Sequence, residues 1–390
     1  MKSRKLEFKT YELVIILLAI CIFSTLTGCL VGYKLLTNKT LSKNYSLVDE
    51  DLEHFINEYN EIKKNYYGTF DSKKILSNAL SAVVNSLGDK YSGKIDLDSN
   101  TTDSIKLRGV YTGVGIEIYN DEKLNIIVNS VFKGSPADTS GIKKGDIITK
   151  INGENVTGTL TINLVSKIKS LNNNVFTLEI LRDGKYINIS TKSDTIELKS
   201  ATYKVLEQNN KKIGYINISI FANNTAKQFK EALSKLEDEK IEGLIVDVRD
   251  NPGGYLETAI EISDLLLNKD KVIYKTNDGD KIEATYSKGK KDYNKKIVIL
   301  INNGSASASE LLTLSLKENL NAYTVGVTSY GKGTVQEVKK YNNIQYKYTT
   351  KLWLSPSGKS INETGIIPDL EVKPDNNGDN QLQSALKQFN

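Results

Sequence analysis

Three serines stand close together after a short apolar run, at Ser305, Ser307 and Ser309. The β-branched residues 297–301 before them predict a buried strand, and the residues from Ser307 to Leu316 predict a helix. The start of a helix presents unpaired backbone N–H groups and the positive end of the helix dipole. A serine nucleophile and a binding site for an oxyanion can both be built at such a turn.

A purely structural role for Ser307 stays open at this point. Ser307 followed three residues later by Glu310 is also the pattern of a capping box, which many helix starts carry. A nucleophilic serine needs a base, and the only histidine of the chain, His54, lies far upstream in a polar segment that predicts a helix. The base is therefore expected to be a lysine, and Lys332, which stands between two glycines, is the leading candidate.

The run GSASASE around Ser307, followed by GKGTVQ around Lys332, resembles the C-terminal processing peptidases, also called tail-specific proteases. Both motifs occur in the family's order, and the lysine follows the serine by 25 residues. The resemblance covers nearly everything from about residue 45 to the end. It implies that Ser307 is the nucleophile, that Lys332 is the general base, and that Gln336 orients the lysine.

A second succession of strand, turn and helix occurs earlier in the chain. The apolar run 243–248 predicts a buried strand, and the residues after Tyr255 predict a helix, with a turn of one proline and two glycines between them. The ordinary interpretation is a tight turn shaped by the proline. The resemblance implies an oxyanion hole, formed by the N–H of Gly254 and the N–H of Ala308, with Gly253 as the alternative to Gly254.

A lysine that acts as a base needs an unusual environment. Its ordinary pKa is about 10.4, whereas a general base should titrate near the working pH. Burial of Lys332 without a carboxylate partner would lower its pKa, and pairing with Glu310 or Glu337 would keep it protonated. Gln336 can hold the amine without adding charge. We therefore expect an inactive and an active arrangement, with peptide binding bringing Ser307, Lys332 and Gln336 together.

Residues 104–193 change in character to short β-branched runs separated by glycine turns. With the runs GSPA and GDIITKING, this region resembles a PDZ domain of the bacterial processing type. A PDZ domain adds an extended C-terminus to a sheet edge and offers backbone N–H groups to its carboxylate. The matching peptide-binding loop is Gly113, Val114, Gly115 and Ile116. Whether the domain binds substrate or gates the catalytic site stays open.

The first 36 residues predict a membrane anchor. Four basic residues precede 21 residues, Leu13 to Tyr33, that carry no charge, and such a run is long enough to cross a bilayer as a helix. The basic flank places the rest of the chain outside the cytoplasm. A cleaved signal peptide and a lipoprotein with lipid on Cys29 are the alternatives. Both cysteines lie in this segment, which excludes disulfides and cysteine-based chemistry from the outer part.

Helical spacing of apolar residues marks the region 47–92 and the final segment Gln381–Phe389. The simplest interpretation is a small helical region packed on its neighbour. The resemblance implies in addition that the N-terminal helices help to form a homodimer, and that the C-terminal helix can serve in dimer contacts.

The whole chain of 390 residues predicts an α/β protein, with a protease core resembling the crotonase-like and ClpP-like folds and an inserted, β-rich PDZ domain. The net charge of +5 is a small excess without an arginine-rich block, so nucleic acid is not an expected partner. The predicted regions are a cytoplasmic stub and transmembrane anchor (1–36), a linker and helical region (37–100), the PDZ domain (101–194), the serine protease core (195–375) and the C-terminal helix (376–390).

Together these features predict a single-pass membrane serine endopeptidase that cleaves proteins near exposed C-termini, without metal or cofactor. Two other functions remain open from the sequence. One is a catalytically silent envelope scaffold whose PDZ domain docks peptide tails, although such a scaffold has no reason to keep Ser307 and Lys332 together. The other is acyl-CoA chemistry, which related folds perform with a similar oxyanion hole and which the outer location argues against.

Overall fold

The computed structural model describes residues 50–95, 102–171, 174–342, 344–375 and 378–390. The predicted membrane segment 13–33 lies outside the described residues. Within the described ranges, no helix is both long and apolar enough to cross a bilayer. The chain divides into a first unit that ends at Asn78 and a second unit from Ala79 to Asn390.

The described helices, numbered in chain order, are α1 Glu50–Asn65, α2 Ser72–Asn85, α3 Thr102–Arg108, α4 Pro136–Thr139, α5 Thr161–Ser170, α6 Thr225–Asp238, α7 Leu256–Leu266, α8 Ala308–Leu320 and α9 Asn380–Leu386, which a 3₁₀ turn Lys387–Phe389 follows. The strands that precede the protease sheet are β1 Gly93–Ile95, β2 Val110–Gly113, β3 Ile116–Asn120, β4 Ile126–Val131, β5 Ile147–Ile151, β6 Glu154–Asn155, β7 Val175–Arg182, β8 Lys185–Lys192 and β9 Asp194–Glu197. The later strands are β10 Ala201–Gln208, β11 Lys211–Ile218, β12 Gly243–Asp247, β13 Val272–Asn277, β14 Ile282–Tyr286, β15 Lys296–Ile301, β16 Tyr323–Gly326, β17 Thr334–Tyr341, β18 Ile344–Leu354 and β19 Leu370–Glu371.

Helix α1 is the amphipathic helix that the sequence predicts, with acidic residues in its first turn and lysines in its last. This charge distribution suits the helix dipole. None of its residues is buried, and Leu52, Phe55, Ile56 and Ile62 are all exposed. Its apolar face is therefore exposed among the residues that the structure describes.

The region predicted as a PDZ domain forms a sheet in the order β3-β4-β5-β7-β8, with β6 paired to β5. Strands β7 and β8 form a hairpin whose turn residues, Asp183 and Gly184, both have positive φ, as a two-residue hairpin turn requires. The apolar residues of these strands and of helix α5 form a core of their own. Strand β3, which follows the predicted peptide-binding loop, lies at the edge of the sheet.

A short strand that the sequence analysis missed shows that the PDZ region is an insertion. Strand β1, just before the PDZ region, pairs antiparallel with β18 near the end of the chain, in the register Gly93 with Lys347. This sheet has the order β1-β18-β13-β14, with β17 paired to β18. The chain thus begins this sheet, builds the PDZ region, and then returns to it.

The protease core is built on a six-stranded sheet in the order β10-β11-β12-β15-β16-β19. The pair β10 and β11 is antiparallel, and the other pairs are parallel. Strand β12 is buried along its whole length, as expected for a central parallel strand covered on both faces. Residues of α6, α7 and α8 pack in the main core, and α9 packs in a second cluster with other residues of the same strands.

Both predicted successions of strand, turn and helix are present in this core. Strand β12 leads to α7, and strand β15 leads to α8, so the two turns follow the carboxyl ends of adjacent parallel strands. In parallel sheets such ends meet at one edge. This edge carries the candidate site.

Candidate active site

Ser307 is the N-cap of α8. Its backbone conformation, with φ 56° and ψ −114°, is one that residues other than glycine rarely adopt. Its hydroxyl is half-buried and donates no hydrogen bond to any residue within the described ranges. The two neighbouring serines are fully buried and used in packing the turn. The Ser305 hydroxyl donates to the carbonyl of Val248 at 2.7 Å, and the Ser309 hydroxyl donates to the carbonyl of Asn251 at 2.9 Å. Of the three serines, only Ser307 has a hydroxyl available for chemistry.

Glu310 connects the serine turn to the lysine segment. Its fully buried carboxylate accepts the backbone N–H of Ser307 at 2.8 Å and that of Lys332 at 3.0 Å, both on the oxygen Oε2. The other oxygen accepts the N–H of Gly331 at 2.7 Å and the hydroxyl of Ser329 at 2.6 Å. The sequence indicated a capping role for Glu310, but not this bridge between segments that lie about twenty residues apart.

The amine of Lys332 is partly buried and forms no hydrogen bond or ion pair with a described residue. The ring centroid of Tyr91 lies 5.0 Å from Nζ. Burial lowers the pKa of Lys332, the positive charge of Lys347 lowers it further, and the charges of Asp89 and Glu310 oppose this effect. Glu310 binds the backbone of Lys332 and not its amine, which is the condition that a lysine base requires.

The backbone around Lys332 is held by Trp353 and by two close contacts. The buried indole of Trp353 donates to the carbonyl of Lys332 at 2.8 Å, and the Trp353 N–H donates to the carbonyl of Gly333 at 2.9 Å. A Cβ atom at Gly333 would lie within 3.0 Å of backbone atoms of Asn362, and one at Gly331 would also meet backbone atoms. The two flanking glycines therefore let the backbone at Lys332 lie close to the segment around Asn362.

Gln336 does not contact the amine of Lys332 in this structure. Its Nε2 donates to the hydroxyl of Thr334 at 2.8 Å and to the hydroxyl of Thr349 at 3.2 Å. The nearby Glu337 is paired with a lysine two residues further along β17. The structure thus brings together the backbone segments of Ser307 and Lys332 without joining the three predicted functional groups by hydrogen bonds. Their convergence when a peptide binds stays a prediction.

The turn after β12 packs directly against Ser307. The N–H of Gly253 is occupied, because it donates to the side chain of buried Asn251 at 2.9 Å. The N–H groups of Gly254 and Ala308 donate to no acceptor among the described residues. A Cβ atom at Gly253 would lie 2.9 Å from the Cβ atom of Ser307. Of the two glycines, only Gly254 has an N–H free to join that of Ala308 in binding an oxyanion.

The predicted peptide-binding loop connects β2 to the edge strand β3. Gly113 ends β2, Ile116 begins β3, and Gly115 between them has a φ of 85°. The carbonyls of Val114 and Gly115 accept the N–H groups of Ala137 and Phe132, which follow β4. The N–H groups of Val114 and Gly115 have no acceptor among the residues described. Free N–H groups beside an open sheet edge suit a peptide carboxylate.

A cleft of about 700 Å³ extends between the PDZ region and the turn at the site. Glu117 and Phe132 line its PDZ side, and Pro252, one residue before Gly253, lines the other. Ser219 and Ile220 lie between them. An extended peptide bound at the PDZ edge would thus have a path towards Ser307.

Comparison with known proteins agrees with the class that the fold and the site define, a serine peptidase core that carries a PDZ domain. Residues 212–372 match the profile of Peptidase family S41, and residues 104–181 match that of the PDZ domain. A probable CtpA-like serine protease of Staphylococcus aureus (strain COL) is 31% identical over 376 residues, which cover 95% of this chain and 74% of that protein.

The carboxy-terminal processing protease CtpA of Bacillus subtilis (strain 168) is 33% identical over 363 residues, which cover 92% of this chain and 76% of the relative. A solved structure of a photosystem II D1 C-terminal processing protease shares the fold, with a TM-score of 0.51 and 22% identity over 83% of this chain and 88% of the other. The chain belongs to the CtpA-like carboxy-terminal processing proteases of peptidase family S41, and it is a serine-type peptidase.

Proposed function

We propose that this protein is a membrane-anchored endopeptidase that cuts protein substrates near their C-termini through a dyad of Ser307 and Lys332. The observation that carries the proposal is the double hydrogen bond to Glu310, because one carboxylate oxygen accepts the N–H groups of both proposed catalytic residues. The Ser307 hydroxyl, which donates to no described residue, and the Lys332 amine, which has no hydrogen-bond or ion-pair partner among them, add support. This bridge fixes the backbones of Ser307 and Lys332 to each other, as cooperation between their side chains requires.

The proposed chemistry needs no group from outside the chain except water. The hydroxyl oxygen of Ser307 attacks the peptide carbonyl, and its proton passes to the neutral amine of Lys332. The N–H groups of Gly254 and Ala308 stabilise the oxyanion that forms, and each such donor is typically worth about 3 kcal/mol. Lys332 then protonates the leaving amine, and water releases the acyl group from Ser307 by the same two proton transfers. Gln336 orients the amine of Lys332 in the active arrangement.

The PDZ region is proposed to select substrates by their free C-termini. The unoccupied N–H groups of Val114 and Gly115 would bind the terminal carboxylate, and the edge of β3 would pair with the residues before it. The cleft that reaches Pro252 supports a path from this position to the nucleophile. Cleavage would therefore fall a limited number of residues before the C-terminus.

The proposed location is the outer face of a membrane, with residues 13–33 as a single-pass anchor. The uncharged run and its basic flank support this orientation.

A homodimer is proposed as the working form, supported by the exposed apolar face of α1. Strands β11, β12, β15 and β16 are parallel, and the helices α6, α7 and α8, which follow β11, β12 and β15, pack in the core beside them. This arrangement supports a crotonase-like or ClpP-like core.

The proposal is tested with the full chain in detergent and β-casein as substrate. Wild type is compared with Ser307→Ala and Lys332→Ala, and with Lys339→Ala as a control for an exposed lysine. Loss of cleavage in the first two variants alone supports the dyad. Cleavage that survives in Ser307→Ala or Lys332→Ala shows that the dyad is wrongly assigned. Recovery of the chain in the soluble fraction of lysed cells would count against the anchor.

A further inference from the structure

The segment Asp89–Ser92, which follows α2, meets the amine of Lys332 through the ring of Tyr91 and binds Thr349 of β18 through Asp89 and Ser92. The carboxylate of Asp89 accepts three hydrogen bonds, from the hydroxyl of Ser92, from the hydroxyl of Thr349 and from the N–H of Tyr91. The hydroxyl of Ser92 in turn accepts the N–H of Thr349 at 3.1 Å. Two side chains of the segment therefore hold one residue of β18.

Thr349 is the cross-strand neighbour of Gln336 in the pairing of β17 with β18. The register shifts between Val335 and Gln336, which is a bulge, and bulges re-aim side chains. The amide nitrogen of Gln336 donates to the Thr349 hydroxyl at 3.2 Å. A continuous chain of hydrogen bonds thus runs from Asp89 through Thr349 to Gln336.

The direction of the protons in this chain follows from the chemistry of the groups. An ionised carboxylate only accepts hydrogen bonds, so the single proton of the Thr349 hydroxyl must point at Asp89. The Thr349 oxygen can then only accept from Gln336, and the amide must present its NH₂ group to Thr349. This leaves the carbonyl oxygen Oε1 of Gln336 as the end that can accept a proton of the Lys332 amine.

We propose, on the basis of the Ser307–Lys332 dyad proposed above, that Asp89 is a positioning residue which fixes the amide orientation of Gln336 through Thr349. With the opposite orientation, the NH₂ group of Gln336 would face the amine, and it would compete for the lone pair that must accept the proton of Ser307. Asp89 acts on the reaction only through Gln336, and it does not touch the substrate.

Two further observations agree with this role. Burial acts to raise the pKa of Asp89, but the hydrogen bonds from Ser92 and Thr349 outweigh it and hold the pKa below the ordinary value, so the carboxylate is ionised at neutral pH. The ring of Tyr91 covers the amine of Lys332 at 5.0 Å. The same four-residue segment thus contacts Lys332 directly and reaches Gln336 through Thr349.

The charged and titratable groups around Lys332 come from three other parts of the chain. They are Lys347 on β18, Glu310 on α8, and Tyr330, two residues before Lys332. The segment Asp89–Ser92 itself adds Asp89, Lys90 and Tyr91. Because Asp89 also adds a negative charge near Lys332, variants of Thr349 test the proposal more cleanly than variants of Asp89.

The main test compares Thr349→Val with Thr349→Ser, using cleavage of fluorescein-labelled β-casein by the full chain in detergent. Valine suits a strand and removes the hydroxyl, whereas serine keeps it. We expect Thr349→Val to lower kcat about 10-fold to 100-fold with little change in KM or Tm, in line with the cost of misplacing a catalytic group. Thr349→Ser should stay near the wild-type rate. Wild-type kcat in Thr349→Val overturns the proposal.

A double-mutant cycle with Gln336→Ala separates positioning from a general structural effect. If Thr349 acts through Gln336, Thr349→Val adds no further loss once Gln336→Ala is present. An additive loss in the double variant overturns the proposal. In the same way, Asp89→Asn should lower kcat in the wild-type background and cause no further loss in Thr349→Val, whereas equal losses in both backgrounds contradict the relay.

Failure of this inference can be told apart from failure of the proposed dyad. If Ser307→Ala and Lys332→Ala abolish cleavage while Gln336→Ala and Thr349→Val leave it at the wild-type rate, the dyad stands and the relay is wrong. If Ser307→Ala or Lys332→Ala still cleaves, the dyad and the relay that rests on it both fail.

Discussion

At the scale of single residues, the proposed chemistry depends on the amine of Lys332, which has no carboxylate partner in the part of the chain that the structure describes. Nearby carboxylates are occupied elsewhere, since Glu310 binds backbone N–H groups and Glu337 pairs with Lys339. Burial is the main reason that the pKa of Lys332 lies below its ordinary value. A neutral amine is therefore accessible at a pH at which an exposed lysine would be charged.

The lowered pKa of Lys332 predicts linked effects of pH on rate and stability. We expect kcat/KM to rise as the pH increases through this lowered pKa, because only the neutral amine accepts the proton. Between this lowered pKa and the ordinary pKa of lysine, the unfolded chain binds more protons than the folded chain, so the destabilisation by Lys332 is complete below this interval and fades as the pH rises through it. Lys332→Met should thus be more stable than wild type at pH 7.

The measurement is urea denaturation of wild type and Lys332→Met from pH 7 to pH 10. The stability gap between the two chains should narrow as the pH increases. Lys339→Met, which changes an exposed lysine, serves as the control. A constant gap across this range would contradict the assignment of Lys332 as a lysine with a lowered pKa.

Replacing the neutral amide of Gln336 by a carboxylate should silence the site. In Gln336→Glu, a negative charge near the amine would favour the ammonium form and raise the pKa of Lys332. We expect at least about a 10-fold loss of β-casein cleavage at pH 7, with partial recovery at higher pH. The reverse change at the neighbouring exposed position, Glu337→Gln, should leave the rate unchanged. Full activity of Gln336→Glu would show that Gln336 does not face the base.

At the scale of the elements, Glu310 fastens helix α8 to the segment that leads into β17. All four of its hydrogen bonds come from donors, which suits a carboxylate. In Glu310→Gln, the new NH₂ group would face N–H donors, and one or more of them would lose a partner. We expect the free energy of unfolding to fall by about 3 kcal/mol, with loss of activity.

Chemical denaturation measures this change, and Glu318→Gln on an exposed turn of the same helix is the control. Glu318 is exposed and accepts two hydrogen bonds from Ser357, so it controls for the same substitution at a glutamate outside the core. A loss in Glu310→Gln no larger than that in Glu318→Gln would mean that the bridge contributes little.

The turn between β12 and α7 depends on glycine for its conformation and for its packing. Gly254 has a φ of 141°, and a Cβ atom there would lie 2.2 Å from the carbonyl oxygen of Phe221. Gly254→Ala must therefore displace the turn and the N–H that we assign to the oxyanion. We expect kcat to fall about 100-fold, which is typical of the loss of one oxyanion donor.

Gly279→Ala provides the matched control for the effect of positive φ alone. Gly279 has a φ of 99°, and its Cβ position meets no atom within 4 Å. This variant should lose some stability and keep its kcat, as measured with labelled β-casein. Similar rates in Gly254→Ala and Gly279→Ala would contradict the assignment of Gly254 to the oxyanion hole.

At the scale of the whole molecule, the insertion of the PDZ region places the open edge of its sheet across a cleft from the turn between β12 and α7. Strand β1 enters the sheet of β18 before the PDZ region, and β10 continues the protease core after it. The segment after α2 consequently reaches Lys332 and Thr349 although it precedes the PDZ region in the chain. Parts of the chain on both sides of the insertion thus build one site.

The apolar face of α1 predicts that the working molecule contains two chains. Phe55 and Ile62 are 54% and 55% exposed, which is unusual for such side chains on one helix face. Phe55→Lys together with Ile62→Lys should convert a dimer to a monomer in light scattering of the detergent-solubilised chain. Glu58→Lys, a change at an exposed polar position of α1, should leave the mass unchanged. A monomeric wild type would contradict the prediction.

The sequence by itself determined the class of protein, the two turns after β12 and β15, the PDZ hairpin and the candidates Ser307 and Lys332. These features rest on short motifs and on the periodicity of apolar residues, which neighbouring residues determine locally. Helix α8 continues to Leu320, beyond its predicted end at Leu316, and this difference affects none of the assigned site residues.

Only the tertiary structure decided which groups at the site are free. It showed that the hydroxyls of Ser305 and Ser309 are occupied, and that Gln336 binds threonines. It also showed that the N–H of Gly253 is occupied, while that of Gly254 has no acceptor among the described residues. It also revealed β1 and its pairing with β18, across some 250 residues of sequence. Each of these outcomes depends on contacts between distant segments, and no local pattern of residue types specifies which hydrogen-bond partner a distant segment will supply.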